Sequence, residues 1–154
     1  MTVDISGQRP ATVDVKALQE FVAATLDREG VPSDAELSIS FIGNDEIATL
    51  NEEHLGKAGP TDVLSFPIED AAPGVPPQAR NGGPPLALGD IFISTDIVSA
   101  HAAEYDVSFD DELHLMVCHG VLHILGWDHV GDEDAEKMEA REAHHLATIG
   151  KERR

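Results

Sequence analysis

The segment from residue 109 to residue 125 constrains the fold more than any other part of the chain. It reads FDDELHLMVCHGVLHIL and is strongly apolar after its acidic start. An apolar run of this length followed by Gly126 predicts a helix that ends where a glycine can adopt a positive φ. In a chain of 154 residues, which suits one domain with one hydrophobic core, this helix is the most apolar element.

Shorter patterns around this helix predict a mixture of strands and helices. Alternation at period two indicates strands, and apolar residues at helical spacing indicate helices. The predicted strands are 2–5, 37–42, 63–66 and 88–94, and the predicted helices are 14–29, 45–55, 95–105, 109–125 and 132–149. Asn44 is predicted to cap the second helix, and Gly56 to end it.

These elements predict the fold class and the domain organisation. We expect a single α+β domain over residues 1–154, in which a small mixed β-sheet packs with about five helices. The segment 69–87 is rich in proline and glycine, so it is predicted to be a mobile loop insertion rather than a second domain.

Three histidines on the apolar helix and the turn after it predict a metal site. His119 and His123 are four residues apart, so on a helix their side chains lie one turn apart on the same face. Gly126 then lets the chain turn back and bring His129 to the same point. Three neutral imidazoles leave an open fourth position for water, which is the usual layout of a catalytic zinc site. We therefore predict one Zn²⁺ ion used for hydrolysis, although three imidazoles also suit nickel or manganese.

Two other kinds of metal site fit the sequence less well. Structural zinc sites are rich in thiolates, but the only cysteine, Cys118, lies about 100° round the helix from His119. The HExxHxxGxxH zinc proteases share the histidine spacing and use the glutamate after the first histidine as general base. Gly120 occupies that position here and supplies neither a base nor a proton donor. A metallopeptidase or amidase is therefore an alternative with the same metal geometry but without the matching catalytic group.

The charge of the chain bears on its partners. The chain contains ten Lys and Arg and 29 Asp and Glu, which gives a formal net charge of −19. Such a surface favours solubility and repels nucleic acid, since phosphate binding relies mainly on Lys and Arg. A bound divalent metal nevertheless provides a local positive charge to which a polyanion can bind. An RNA partner is therefore less expected from composition, but it is not excluded.

The cysteine content and the first twenty residues predict a cytoplasmic location. A single thiol cannot pair within the chain, which fits a reducing compartment. The chain starts without a basic segment followed by an apolar run, and no run approaches the length that spans a bilayer. We therefore expect a soluble protein with no membrane partner.

Several motifs resemble those of one known family. HGVLHILGWDH at 119–129 resembles the HGxLHLxGYDH signature of the YbeY endoribonuclease and rRNA maturation factors. GPTDVLSFP at 59–67 is similar to their PTDVLSFP motif, and LGDIFI at 88–93 is similar to their LGDI strand. Met138 and Glu142 stand where the closing helix of the family has its Met and Glu.

This resemblance implies a metal-dependent RNase directed at single strands, which takes part in 16S rRNA 3′-end processing and late ribosome quality control. It implies that the three histidines are the zinc ligands. It also implies as partners a single-stranded rRNA precursor and the small ribosomal subunit or its basic proteins. One position departs from the family, because many members carry an arginine implicated in activity where this chain has Leu55. Lys57 is the nearest cation that can bind a phosphate in place of this arginine.

Two more residues join Lys57 as candidate catalytic groups. Asp128 can orient a histidine ligand, help to activate the water, or simply bond within its turn. Ser65 alternates with apolar neighbours, so we expect it to face away from the core and toward a cleft. Asp62 either bonds the local backbone or borders the site. Trp127 can stack a base, although core packing suits it better.

Three hypotheses about function follow from these patterns. The first is a nuclease, in which either a metal-activated water or the 2′-OH of the RNA attacks the phosphodiester. The second is the metallopeptidase or amidase, which Gly120 argues against. The third is a non-catalytic, metal-stabilised ribosome assembly factor with an acidic surface that binds basic ribosomal proteins, which the net charge of −19 and Leu55 both favour.

Overall fold

A four-stranded sheet and five helices make up the fold. The computed structural model describes residues 1–59, 61–78 and 82–154. Within these residues the strands are β1 (Thr2–Gly7), β2 (Glu36–Ile42), β3 (Val63–Pro67) and β4 (Ala87–Ser94), and the helices are α1 (Val15–Arg28), α2 (Asn44–Leu55), α3 (Thr95–Glu104), α4 (Phe109–Ile124) and α5 (Asp132–Ala147). The predicted α+β class, mixed sheet and number of helices are confirmed.

The sheet has the strand order β1-β2-β4-β3. Strand β2 pairs in parallel with β1 and with β4, and β3 pairs antiparallel with β4 at the edge. In β2 the alternating residues Leu37, Ile39 and Phe41 are buried, which is the period-two pattern that the sequence shows. The antiparallel edge strand β3 carries residues 63–67 of the 59–67 motif alongside α4.

Helix α4 is the centre of the core. It packs against β3, β4, α1, α3 and α5. Eleven of its sixteen residues are buried, and all sixteen lie within the described part of the chain. Beyond the first turn of this helix, the residues that are not fully buried are His119 and His123. Beyond its first turn, α4 therefore contacts solvent through these two imidazoles.

A buried ionic cluster ties the end of α1 to α5. Arg141 donates from Nε and Nη2 to the two carboxylate oxygens of Glu29, at 2.7 and 2.9 Å. His145 is fully buried, lies with Nε2 3.1 Å from Glu29, and accepts at Nδ1 a hydrogen bond of 3.2 Å from Arg28. Because Arg28 can only donate, His145 is held as the neutral tautomer that carries its proton on Nε2.

This arrangement shifts the pKa of both buried groups. Burial would raise the pKa of Glu29, but the hydrogen bonds from Arg141 and His145 outweigh it, so the pKa lies below its ordinary value. Burial also lowers the pKa of His145, and the opposing contribution of Glu29 does not cancel it. Both shifts favour the forms present near neutral pH.

One detail of the predicted elements changes in the structure. The prediction that Asn44 caps α2 is wrong: Gly43 holds the N-cap position, and Asn44 is the first helical residue. The side chain of Asn44 is engaged elsewhere, since its Oδ1 accepts a hydrogen bond of 2.6 Å from Ser94. Gly56 ends α2 with a φ of 66°, as predicted.

The segment 69–87 is partly packed onto the rest of the fold. Residues 79–81 lie outside the described residues. Ala72 and Val75 pair in an isolated bridge, and Leu86 is buried. Ala87 already belongs to β4. The mobility of this segment stays a prediction.

Over the described parts of the chain, none of the helices has both the length and the apolar character needed to cross a membrane.

We predict that His145 makes the protein less stable as the pH falls through 6.5, the ordinary histidine pKa. Below that value the unfolded chain binds a proton that folded His145 disfavours, so the free energy of unfolding declines on acidification. His145→Gln should flatten this decline. The measurement is urea unfolding at a series of pH values between about 8 and 5. His144→Gln, which changes the exposed neighbour, should keep the wild-type slope, and equal slopes in all three proteins would contradict the prediction.

Candidate metal centre

The three predicted ligands meet at one point on the surface. One ring nitrogen from each of His119, His123 and His129 lies within 4.8 Å of the other two. The centroids of the three rings are 4.4, 5.1 and 5.3 Å apart. The structure therefore brings together the residues that the spacing of the sequence selects, and these three histidines could hold a metal ion.

The turn after α4 brings His129 back to the helix. The N–H of Gly126 bonds the carbonyl of His123 at 3.0 Å, and the N–H of Trp127 bonds the carbonyl of Leu122 at 3.0 Å. This pair of bonds is a Schellman motif, and Gly126 adopts its left-handed position with a φ of 91°. A Cβ at Gly126 would lie 2.3 Å from the carbonyl oxygen of Ala71. Glycine is required both by the backbone angle and by the close approach of the neighbouring segment.

Two of the imidazoles are fixed in one tautomer. Nδ1 of His119 lies 3.1 Å from Oε2 of Glu142, and Nδ1 of His123 lies 2.8 Å from the carbonyl oxygen of Trp127. A carboxylate and a carbonyl only accept, so each Nδ1 carries the proton and each Nε2 presents a lone pair. These two Nε2 atoms are 2.9 Å apart. When both rings are neutral, their two Nε2 lone pairs point at the same place, so the donor set fits a metal ion.

Glu142 is the carboxylate behind this arrangement. Its side chain is 1% exposed, and its Oε1 accepts a hydrogen bond of 3.0 Å from Nε of Arg153. Burial would raise its pKa, but the hydrogen bonds with His119 and Arg153 outweigh burial, so the pKa of Glu142 lies below its ordinary value. Beyond the family position, no sequence pattern indicates this contact, because Glu142 is one of many acids on α5.

The protonation of nearby groups also suits metal binding. Burial, followed by the neighbouring His119 and His129, lowers the pKa of His123, which favours the neutral ligand form. Cys118 is fully buried, and burial followed by the charges of Glu142 and Glu29 raises its pKa to about 12. The thiol therefore stays protonated, as expected for a cysteine outside the site.

A cleft of about 560 Å³ opens in front of the histidines. Its lining includes the three predicted catalytic residues Asp128, Ser65 and Lys57, together with Leu55. The structure thus places all of them beside the candidate metal centre. This volume lies within the range of about 300–1,000 Å³ that is typical of small-molecule sites.

The contacts of Asp128 place it in the turn. Its Oδ1 accepts a hydrogen bond of 2.7 Å from the backbone N–H of His129. The groups that orient His119 and His123 are instead Glu142 and the Trp127 carbonyl. Asp128 is exposed at the mouth of the cleft. Its part in the chemistry stays a prediction.

Ser65 and Gly120 meet where β3 packs against α4. The hydroxyl of Ser65 donates to the carbonyl oxygen of Gly120 at 3.1 Å, so Ser65 lines the cleft but also turns toward the helix. A Cβ at Gly120 would lie 3.2 Å from Ser65, Val63 and Ile91. A side chain at position 120 would therefore require these three neighbours to move by a few tenths of an ångström. The catalytic role of Ser65 stays a prediction, whereas its contact with α4 is structural.

Asp62 serves both of the roles considered for it. Its Oδ1 accepts a hydrogen bond of 2.9 Å from the N–H of Val63, and its Oδ2 lies 3.3 Å from Nδ1 of His101. Asp62 also lines the cleft. Trp127 is half-buried and packs against the core, in line with the packing interpretation.

Comparisons with known proteins agree on one family. A family model described as Endoribonuclease YbeY matches residues 6–150. The protein named Endoribonuclease YbeY from Oceanobacillus iheyensis is 40% identical over 139 residues, which cover 90% of this chain and 90% of the relative. Proteins of the same name from Salinispora tropica and Bacillus subtilis are 39% and 40% identical and cover 96% and 91% of this chain, or 96% and 87% of their own lengths.

One solved structure matches over most of its length. The solution structure of TM1509 from Thermotoga maritima aligns with a TM-score of 0.61 and 25% sequence identity. The alignment covers 96% of this chain and 91% of the other. The similarity extends over the whole fold and is not confined to the histidine helix.

We predict that Gly120→Glu destabilises the protein by about 3 kcal/mol or more, because the side chain would overpack the contact with β3 and bury an unpaired charge. Urea unfolding measures the loss. Gly43→Glu is the matched control, since a Cβ at Gly43 meets nothing within 4 Å. A Gly120→Glu protein as stable as the Gly43→Glu protein would show that the close contact is not a constraint.

Proposed function

The chain belongs to the YbeY endoribonuclease family, and from this premise we propose that it is a zinc-dependent enzyme that cleaves single-stranded RNA. We further propose that its substrate is the 3′ end of the 16S rRNA precursor and that it acts in ribosome quality control. The observation that carries the metal-dependent mechanism is the pair of Nε2 lone pairs of His119 and His123, 2.9 Å apart with His129 beside them.

The residues that would hold the ion are His119, His123 and His129. When bound, a zinc ion supplies a Lewis acid and lowers the pKa of water toward neutrality. Three imidazoles alone suit several divalent metals, so metal analysis of the purified protein has to identify the ion. Glu142 and the Trp127 carbonyl hold two of the rings in the tautomer that a metal needs.

Asp128 is the carboxylate that we assign as proton acceptor. Glu142 cannot take this role, because both of its oxygens already accept hydrogen bonds and it is buried. Asp128 is exposed at the cleft, and the His129 N–H fixes one of its oxygens. The proton comes either from water or from the 2′-OH of the RNA, and a 2′,3′-cyclic phosphate product would identify the second route.

Lys57 is the cation that we assign to the RNA phosphate. It lines the cleft together with Leu55, which is 51% exposed and stands where the family resemblance implies an arginine. A lysine can bind a phosphate as a point charge, although without the two-pronged geometry of arginine. The cleft offers one lysine beside the candidate metal centre. This suits contact with one phosphate backbone rather than two, which supports a single-stranded substrate.

The proposed partners and location extend this function. An acidic chain with a net charge of −19 complements the basic proteins of the small ribosomal subunit. The fully buried free thiol of Cys118 is compatible with a cytoplasmic location.

A non-catalytic assembly factor is the second candidate function. The net charge of −19 favours it, and so does Leu55 in the cleft. In that case the histidines would hold a metal that stabilises the fold, and their removal would reduce stability without changing RNA. A peptidase is disfavoured, because Gly120 stands where such enzymes carry their glutamate, and a Cβ at this position would already be in close contact with three side chains.

We predict that His123→Ala reduces cleavage of single-stranded RNA to the level of the chelator-treated protein, since it removes one of three metal ligands. The assay compares single-stranded and duplex RNA of one sequence, with the metal content of each protein measured in parallel. His144→Ala is the control, because His144 is exposed on α5 and does not line the cleft. Equal cleavage by wild type and His123→Ala would overturn the nuclease site, and intact RNA with a metal-dependent melting temperature would favour the assembly factor.

We predict that Lys57→Gln weakens RNA binding equally for different sequences, because a phosphate contact carries no base information. The slope of log K against log salt concentration should fall by about 1. Lys16→Gln is the control, since Lys16 lies on α1 and pairs with Glu20. An unchanged slope for Lys57→Gln would show that Lys57 does not contact the phosphate.

A further inference from the structure

We infer that Arg153 is a positioning residue for the metal ligand His119 and that it acts through Glu142. This inference rests on the metal site proposed above. It concerns a residue outside all of the sequence motifs, in the segment 151–154 that follows α5.

A continuous line of hydrogen bonds joins Arg153 to His119. Nε of Arg153 donates to Oε1 of Glu142 at 3.0 Å, and the other oxygen of the same carboxylate lies 3.1 Å from Nδ1 of His119. The guanidinium is itself fixed, because Nη1 donates to the carbonyl of Arg154 at 2.9 Å and Nη2 lies 3.4 Å from Glu139. Arg153 therefore holds one end of a carboxylate whose other end holds the ligand.

His119 depends on this contact because its ring has open space behind it. A second cavity, of about 230 Å³, is lined by His119, His129, Met138, Glu142 and Arg153. Packing therefore does not fix the His119 ring on that side, and the hydrogen bond from Nδ1 has to fix it instead. Glu142 is 1% exposed, and a buried carboxylate without a cationic partner is costly. Without Arg153, Glu142 is expected to turn toward water and release His119.

The other cations of this segment make comparable bonds that lead elsewhere. Lys151 binds Asp110 and Asp111 at 2.8 and 2.6 Å. Arg154 binds the two oxygens of the buried Glu112 at 2.5 and 2.9 Å and stacks on the ring of Tyr105. These contacts anchor the segment on α4, and of its three cations Arg153 is the one bonded to the partner of a metal ligand.

The sign of the effect separates positioning from simple electrostatics. A positive charge close to a bound cation repels it, so removal of Arg153 would strengthen metal binding if Coulomb interaction were its main effect. Loss of the ordered Glu142 carboxylate would weaken metal binding instead. We infer the second result.

The test measures the affinity of the full chain for Zn²⁺ by competition with a chromogenic chelator. Removing a hydrogen-bond partner of a ligand typically costs 10–100-fold in metal affinity, so we expect about 3–10-fold weaker binding for Arg153→Gln, which acts one bond further away. Arg153→Lys should recover part of this loss. Arg154→Gln is the matched control: it removes a comparable bond to a buried glutamate, and its Zn²⁺ affinity should equal that of wild type.

A double-mutant cycle tests whether Arg153 acts through Glu142. Glu142→Gln alone should weaken Zn²⁺ binding by about 10–100-fold. In that background Arg153→Gln should have no further effect on affinity, because the carboxylate that it positions is gone. Additive losses would contradict the inference.

The outcomes distinguish this inference from the proposed function. If wild type binds no Zn²⁺, or if His123→Ala binds it equally well, the metal site and this inference both fail. If wild type binds Zn²⁺ at the histidines while Arg153→Gln binds it equally or more tightly, only this inference fails. Thermal unfolding of the metal-free proteins measures how far Arg153→Gln and Arg154→Gln each lower stability. If both variants lose Zn²⁺ affinity equally, the cause is a general structural defect, and the inference fails.

Discussion

The close packing of α4 against the antiparallel edge strand β3 is the constraint on which the structure depends. A glycine at position 120 allows this contact, in which a Cβ would already be 3.2 Å from three side chains. Because α4 is then covered on almost every side, its polar surface beyond the first turn is reduced to His119 and His123. The same packing that builds the core therefore selects the two imidazoles that face the cleft. It also leaves little space at the position where the zinc proteases carry their glutamate.

Five of the ten cations of this acidic chain join distant parts of the fold. Arg28 and Arg141 join α1 to α5 around Glu29, while Lys151, Arg153 and Arg154 join the last residues to α4 and α5. The cation that lines the cleft in the described part of the chain is Lys57. An RNA phosphate would therefore be attracted by a metal ion at the histidines and by one lysine, while the negative charge of the surrounding surface repels it. This distribution favours recognition at one point over binding along an extended basic face.

The sequence predicted what depends on local spacing and failed where distant residues meet. The alternation in β2, the glycine that ends α2 and the histidine trio follow from patterns of period two and 3.6, and the structure agrees with each of them. The role of Glu142 could not be predicted in this way, because it is 23 residues from His119 and lies among many acids. The capping role given to Asn44 is wrong for a similar reason, since Ser94, 50 residues away, engages its side chain. The reason for glycine at position 120 is likewise visible only when β3 is in place.

The contact between Gly126 and the backbone of Ala71 has a consequence for how relatives of this chain can diverge. Surface loops usually tolerate insertions because few contacts constrain their path. Here the first residues of such a loop lie against the bend that carries His129, and the small bridge between Ala72 and Val75 follows at once. Changes in loop length are therefore tolerable only after that bridge. We therefore expect the backbone at the beginning of the loop to follow the same path in relatives whose amino acids differ there, because this backbone packs directly against Gly126.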